Sequence, residues 1–128
     1  RFTDQSAYAQ PSLNVDFGAQ VDAEAAIFYW RISAVAGTTP IADCKLQMQD
    51  PTSGQFLDID GAAFAQKTAA AIQALSVGPG LAADATGDVR SAQAHLPAKM
   101  RAVFTFDRTT ADETYTFTLS VDWLDTGE

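Results

Sequence analysis

The chain of 128 residues has one cysteine, one histidine and only eight lysines and arginines to set against sixteen aspartates and glutamates. Each scarcity excludes something. A lone Cys44 rules out an intrachain disulfide, so this is no disulfide-stapled module, and a reducing compartment suits it. With His95 as the single histidine, neither a zinc site nor a Ser-His-Asp triad has the residues it needs. A net charge of −8 disfavours DNA, RNA and anionic membrane surfaces, whose binding depends on cations. Long hydrophobic runs are missing too. The longest, Ala25-Ala-Ile-Phe-Tyr-Trp30, stops at Arg31, far short of the roughly 20 residues that cross a bilayer. Arg1-Phe-Thr-Asp-Gln-Ser6 has no charged-then-apolar leader pattern. Gly78-Pro-Gly80 lacks the lysine of a phosphate-binding loop.

What is present is alternation. From Thr114 to Trp123 every second residue is large and apolar (Tyr115, Phe117, Leu119, Val121, Trp123), and the residues between are polar. Strand side chains point to opposite faces in turn, so this is a strand with one dry face. The same period recurs. Leu13, Val15 and Phe17 alternate with polar neighbours. In 26–36, Phe28, Trp30, Ile32 and Ala34 share a dry face and the other face is partly apolar, as in a central strand. Ala42, Cys44, Leu46 and Met48 alternate with Asp43, Lys45, Gln47 and Gln49. Met100, Ala102, Phe104 and Phe106 alternate with Lys99, Arg101, Val103 and Thr105.

Turn signals separate these runs: Gly37-Thr-Thr-Pro40, Asp50-Pro-Thr-Ser-Gly54 and Asp60-Gly61. They predict a hairpin of 41–49 with 56–59, and a second hairpin joining 99–107 to 114–123 through 107–113. The alanine-rich stretch 62–74 favours helix by propensity. Its all-β surroundings favour strands at 63–68 and 72–77 instead. Residues 81–93, small and polar, predict a long surface loop. The sum is an all-β chain: a single antiparallel β-sandwich or jelly roll of about 7–8 short strands over residues 13–124. An extended arm at 1–12 precedes it, and a charged tail at 125–128 follows.

Candidate sites are few. Cys44 falls on a dry face, and His95 sits alone at a loop–strand junction. Asp58, Asp60, Asp84 and Asp88 lie near turns without a calcium-loop pattern, and no carboxylate pair has acid–base context. Trp30 and Trp123 fall on dry faces, which leaves Tyr29 as the aromatic for a surface platform. No catalytic residue, metal or cofactor is predicted, and the chain is not expected to be an enzyme.

The order of segments resembles small β-sandwich virion proteins of tailed bacteriophages. The segments are Gly37-Thr-Thr-Pro40, the alternating 42–49, Gly61-Ala-Ala-Phe64, Leu75-Ser-Val77, Leu96-Pro-Ala-Lys-Met-Arg-Ala-Val103 and Thr116-Phe-Thr-Leu-Ser-Val121. The likeness spans about residues 25–123 and departs at 81–94 and in the acidic 107–113 turn. It implies a capsid decoration (cement) or head-associated protein, made in the host cytoplasm and carried on the capsid exterior. Its partners would be the major capsid protein and further copies of itself around a symmetry axis. The arm residues Phe2, Tyr8 and Pro11, with Tyr29, are then the expected partner-binding residues. The rival expectation is a carbohydrate-binding jelly-roll module of a spike, fibre or adhesion protein, using Tyr29.

Overall fold

The computed structural model describes residues 3–18, 23–108 and 112–124. Its organising element is β9 (Thr114–Leu124), whose Tyr115, Phe117 and Leu119 are buried. Around it, β1 (Thr3–Tyr8), β3 (Ala25–Ala36), β6 (Ala71–Gly78) and β7 (Val89–Gln93) form a five-stranded sheet in the order β1-β9-β3-β6-β7. The second sheet holds β2 (Ser12–Gly18), β8 (Lys99–Phe106), β4 (Ala42–Gln49) and β5 (Phe56–Ala63) in the order β2-β8-β4-β5. The dry faces of the two sheets enclose one core, so the described residues form an all-β sandwich of nine strands. All described pairings are antiparallel except β6 with β7.

The core is aromatic. Trp30, fully buried, lies edge-to-face against Phe64 and Phe104 at centroid separations of 5.5 and 5.7 Å. Phe104, Phe106, Tyr115 and Phe117 continue the cluster. Its polar member Gln73, 1% exposed, is satisfied on both ends. It accepts from the Ala65 N–H at 2.8 Å and donates to the Ala65 carbonyl at 3.1 Å, which ties the irregular 64–70 stretch to β6.

Two connections between the sheets meet, one through 37–41 and the other at Asp107, Asp112 and Glu113, and they clasp each other. The Thr38 N–H and hydroxyl donate to Asp112 at 3.2 and 2.9 Å, and those of Thr39 donate to Glu113 at 3.3 and 3.1 Å. The Tyr115 hydroxyl donates to the Asp107 carbonyl at 2.7 Å and accepts from the Ile41 N–H at 3.1 Å. Burial, the larger influence, raises the Tyr115 pKa. Gly37 sits in this clasp at φ +107°, with the Glu113 backbone against it.

The structure departs from the sequence expectations in five places. Within the expected 1–12 arm, Thr3–Tyr8 is no free arm: it is an edge strand paired with β9. The expected hairpin of β8 and β9 does not form, because the two strands belong to opposite sheets and 107–113 crosses between them. Ala34 leaves the dry face. A register shift between Ile32 and Ala34 turns Val35 toward the core instead. The expected 63–68 strand reduces to the end of β5 and a lone bridge from Lys67 to Ala42. The loop at 81–93 contains β7, which pairs with β6, and its Ser91 bridges back to Asp84. The 125–128 tail lies outside the described residues.

Candidate functional site

Side chains that the alternation sends outward build two different surfaces. On the four-stranded sheet, register places Asp16, Arg101, Gln47 and Asp58 in one row across β2, β8, β4 and β5. Arg101 Nε donates to Gln47 Oε1 at 2.8 Å, and Gln47 Nε2 donates to Asp58 Oδ1 at 2.8 Å. Lys45 Nζ closes the chain on Asp58 at 3.1 Å. The Gln47 hydrogen bond, then that of Lys45, holds the Asp58 carboxyl below its ordinary pKa. The Arg101 guanidinium carbon lies 3.9 Å from the centre of the Phe56 ring, a cation–π contact that fixes both side chains. Donors and acceptors along this row are therefore oriented before any ligand arrives.

Beside the row, at the end of the sheet, is an open groove of about 550 Å³. Met48, Leu57, Pro51 and Pro97 give it apolar walls, and Gln49, Asp50 and Lys99 give it polar lining. Leu57 is 53% exposed there, a large apolar side chain left to solvent. A second hollow of about 480 Å³ shares Gln49, Ala98 and Lys99 and reaches Phe17 and Phe56.

The outer face of the five-stranded sheet differs. β9 contributes Thr114, Thr116, Thr118 and Ser120, and β3 contributes Ile27, Tyr29, Arg31 and Ser33. From β6 come Ile72, Ala74 and Ser76. Register aligns Val89, Ala74, Tyr29 and Ser120 in one row without charge. Ile72 and Val89 are 65% and 73% exposed. Asp4, Arg31 and Asp122 supply the charge of this face.

The expected site residues do not converge. Phe2 lies outside the described residues. Tyr8 packs its ring on Phe106 and Phe117 and donates its hydroxyl to the Ser12 carbonyl at 2.7 Å, so it anchors the link from β1 to β2. Pro11 is exposed, and its carbonyl accepts from the Phe106 N–H at 2.8 Å. Tyr29 is half-buried in the middle of the five-stranded face. Trp30 is fully buried, and the half-buried Trp123 packs against Phe17 and Phe28. His95 is exposed beside Glu24 and Pro79.

The turn aspartates serve the fold. Asp50 accepts from the Ser53 hydroxyl at 2.7 Å, Asp84 from the Thr86 hydroxyl at 2.6 Å, and Asp88 pairs with Lys67. Among the described residues no group of three His, Cys, Asp or Glu side chains could hold a metal ion, and no helix is long and apolar enough to cross a membrane. Cys44 is buried, and burial ahead of the nearby Asp43 charge pushes its thiol pKa up. The thiolate being the reactive form, a thiol reagent at neutral pH is expected to label Cys44 only after a denaturant unfolds the chain.

The sequence named Gln47 and Arg101 as outward residues but not their union with Asp58. That union depends on β4 lying between β8 and β5, which alternation within one strand does not encode.

No family model and no curated protein matches the chain. Among solved structures it is similar, at 12% identity and a TM-score of 0.47, to a carbohydrate-binding module, CBM28, specific for non-crystalline cellulose. That likeness covers 94% of this chain and 70% of the other.

Proposed function

We propose that the protein is a non-enzymatic structural component of a tailed-phage virion, a decoration protein that binds the major capsid protein on the outside of the head and stabilises the shell. The observation that supports docking is the outer face of the five-stranded sheet. Its central row of Val89, Ala74, Tyr29 and Ser120 carries no charge, and the face exposes Ile72 and Val89. Interface centres are depleted in charge and enriched in aromatic side chains, and the row through Tyr29 has that character. The virion setting rests on the order of sequence segments. Acidic charge suits a capsid exterior better than a DNA-filled interior, and many copies on a symmetric shell would add avidity to a modest single contact.

The test is addition of purified protein to capsids that lack it, followed by electron cryo-microscopy and a count of copies per particle. Ordered copies over the shell, with Ile72 and Val89 at the contact, are the expected result. The double variant Ile72→Lys/Val89→Lys changes exposed side chains. It is expected to keep the fold and weaken capsid binding by about tenfold or more. A protein that neither binds such capsids nor occurs in virions is not a decoration protein.

A second reading has its own observation. The fixed row of Lys45, Asp58, Gln47 and Arg101, next to Phe56 and an open groove, is the kind of polar array that meets sugar hydroxyls. Saccharide binding lost on Gln47→Ala would favour this carbohydrate-binding role, on a spike, fibre or adhesion protein.

A further inference from the structure

A sheet that ends in solvent leaves unpaired N–H and C=O groups, and the ends of this sandwich are treated unequally. β1 is broken by a register shift after Gln5, with Ala7 at φ +50°. β5 has irregular pairing opposite Lys45–Gln47 and a positive-φ Gly61. β7 has its outer side bridged by Asp84, whose N–H and carbonyl both bond Ser91 at 2.9 Å. β2 carries no such device. All seven of its residues pair in unbroken register with β8, and it contains neither lysine nor proline. Among the described residues nothing pairs with its other edge.

The unpaired groups can be named. The Phe106 N–H bonds the Pro11 carbonyl at 2.8 Å, which makes that opposed pair a bonded one. Bonded and non-bonded pairs alternate along an antiparallel ladder. Leu13, Val15 and Phe17 therefore bond β8, while Ser12, Asn14, Asp16 and Gly18 turn their main-chain groups to the open edge. Tyr8 takes the Ser12 carbonyl. Asn14 and Asp16 form the free centre. The inward side chains Leu13, Val15 and Phe17 are only half-buried, although their partners Phe104, Ala102 and Met100 on β8 are 0–1% exposed. An apolar strip thus runs along the open edge.

We infer that the β2 edge pairs with the β2 edge of a second copy of this chain, antiparallel about a two-fold axis at Val15. That register is self-complementary. Leu13 faces Phe17 of the copy on the dry side, and Asn14 faces Asp16 of the copy on the wet side. The carboxylate thus meets an amide and not another carboxylate, which matters in an acidic chain. Each Asn14–Asp16 pair exchanges both main-chain bonds, and the two four-stranded sheets become one continuous sheet that covers the strip. A foreign strand could use the same edge, but nothing on that edge selects its sequence, whereas β2 selects itself. The edge belongs to the opposite sheet from the proposed capsid-facing surface, so dimerisation and capsid binding succeed or fail separately.

The test combines three measurements on the full chain. Sedimentation equilibrium up to about 500 µM is expected to show a monomer–dimer equilibrium. Amide exchange at Asn14 and Asp16 should slow as concentration rises. Asn14→Pro removes an N–H that the monomer does not use, so it should leave the circular dichroism unchanged and weaken the dimer by about tenfold or more. Val15→Cys supplies a check that does not depend on proline tolerance. At a non-bonded antiparallel pair the Cα atoms lie about 4.5 Å apart, within disulfide reach, so mild oxidation should give a covalent dimer. A wild type that stays monomeric throughout overturns the inference. So does a dimer that survives Asn14→Pro, or one that Val15→Cys does not cross-link.

Discussion

Gly37→Ala is expected to lower the stability of the fold by about 3–4 kcal/mol, a large value for the addition of one methyl group. Two effects combine. At φ +107° an L side chain is strained whatever the surrounding space. The added Cβ would also lie 2.6 Å from the Glu113 Cα, 2.8 Å from its nitrogen and 2.9 Å from the Asp112 carbonyl oxygen. These are backbone atoms, and the clasp fixes them: Thr38 and Thr39 hold Asp112 and Glu113, and the Tyr115 hydroxyl joins Ile41 to Asp107. Relief requires the two crossings to part. Thermal unfolding should show the midpoint falling by roughly 10–15 °C. Gly80→Ala is the control, because its Cβ would meet nothing within 4 Å. It should shift stability by less than about 0.5 kcal/mol. Equal effects at the two glycines would mean that the clasp is not rigid.

Trp30→Ala should cost about 3–5 kcal/mol. The indole is 0% exposed and fills the space between Phe64 and Phe104 where the two sheets meet. Trp30→Phe should cost far less, about 1–2 kcal/mol. Phenylalanine keeps an edge-to-face ring among its neighbours, and the change removes an indole N–H that is buried without a hydrogen-bond partner among the described residues. Urea titration separates the cases: the midpoint should move in both variants while the slope stays constant. Equal costs would mean that the indole N–H makes a stabilising contact and that ring identity, not volume, governs the site.

Much of the sandwich was legible because its central strands carry the signal that burial imposes. Tyr115, Phe117 and Leu119 on β9, and Met100, Ala102, Phe104 and Phe106 on β8, alternate in sequence and are buried. The sheet assignment of those strands was not legible. A seven-residue turn between two amphipathic strands suits a hairpin as well as a crossing, and the clasp with 37–41 decides between them through contacts about 74 residues apart in sequence. β7 was hidden for a different reason. Its buried member is Ala92, so Val89-Arg-Ser-Ala-Gln93 shows no large apolar period. β1 likewise buries Thr3, a polar residue. Of the candidate site, alternation revealed the wet-facing residues of β4 and β8. The row that joins Arg101, Gln47 and Asp58 depends on strand order, which one strand cannot state.

β9 comes last among the nine described strands, yet it lies between β1 and β3 inside its sheet. β1 has no other partner among the described strands, and register sets Thr3 opposite Leu119. Such pairing closes a very long loop, and folds dominated by distant contacts assemble slowly. While the chain is being synthesised, β1 must wait and β3 must keep an open flank until Thr114–Leu124 has emerged. During that interval the hydrophobic stripe of β3, with Phe28, Trp30 and Ile32, is unshielded on one side, the period in which aggregation competes with folding.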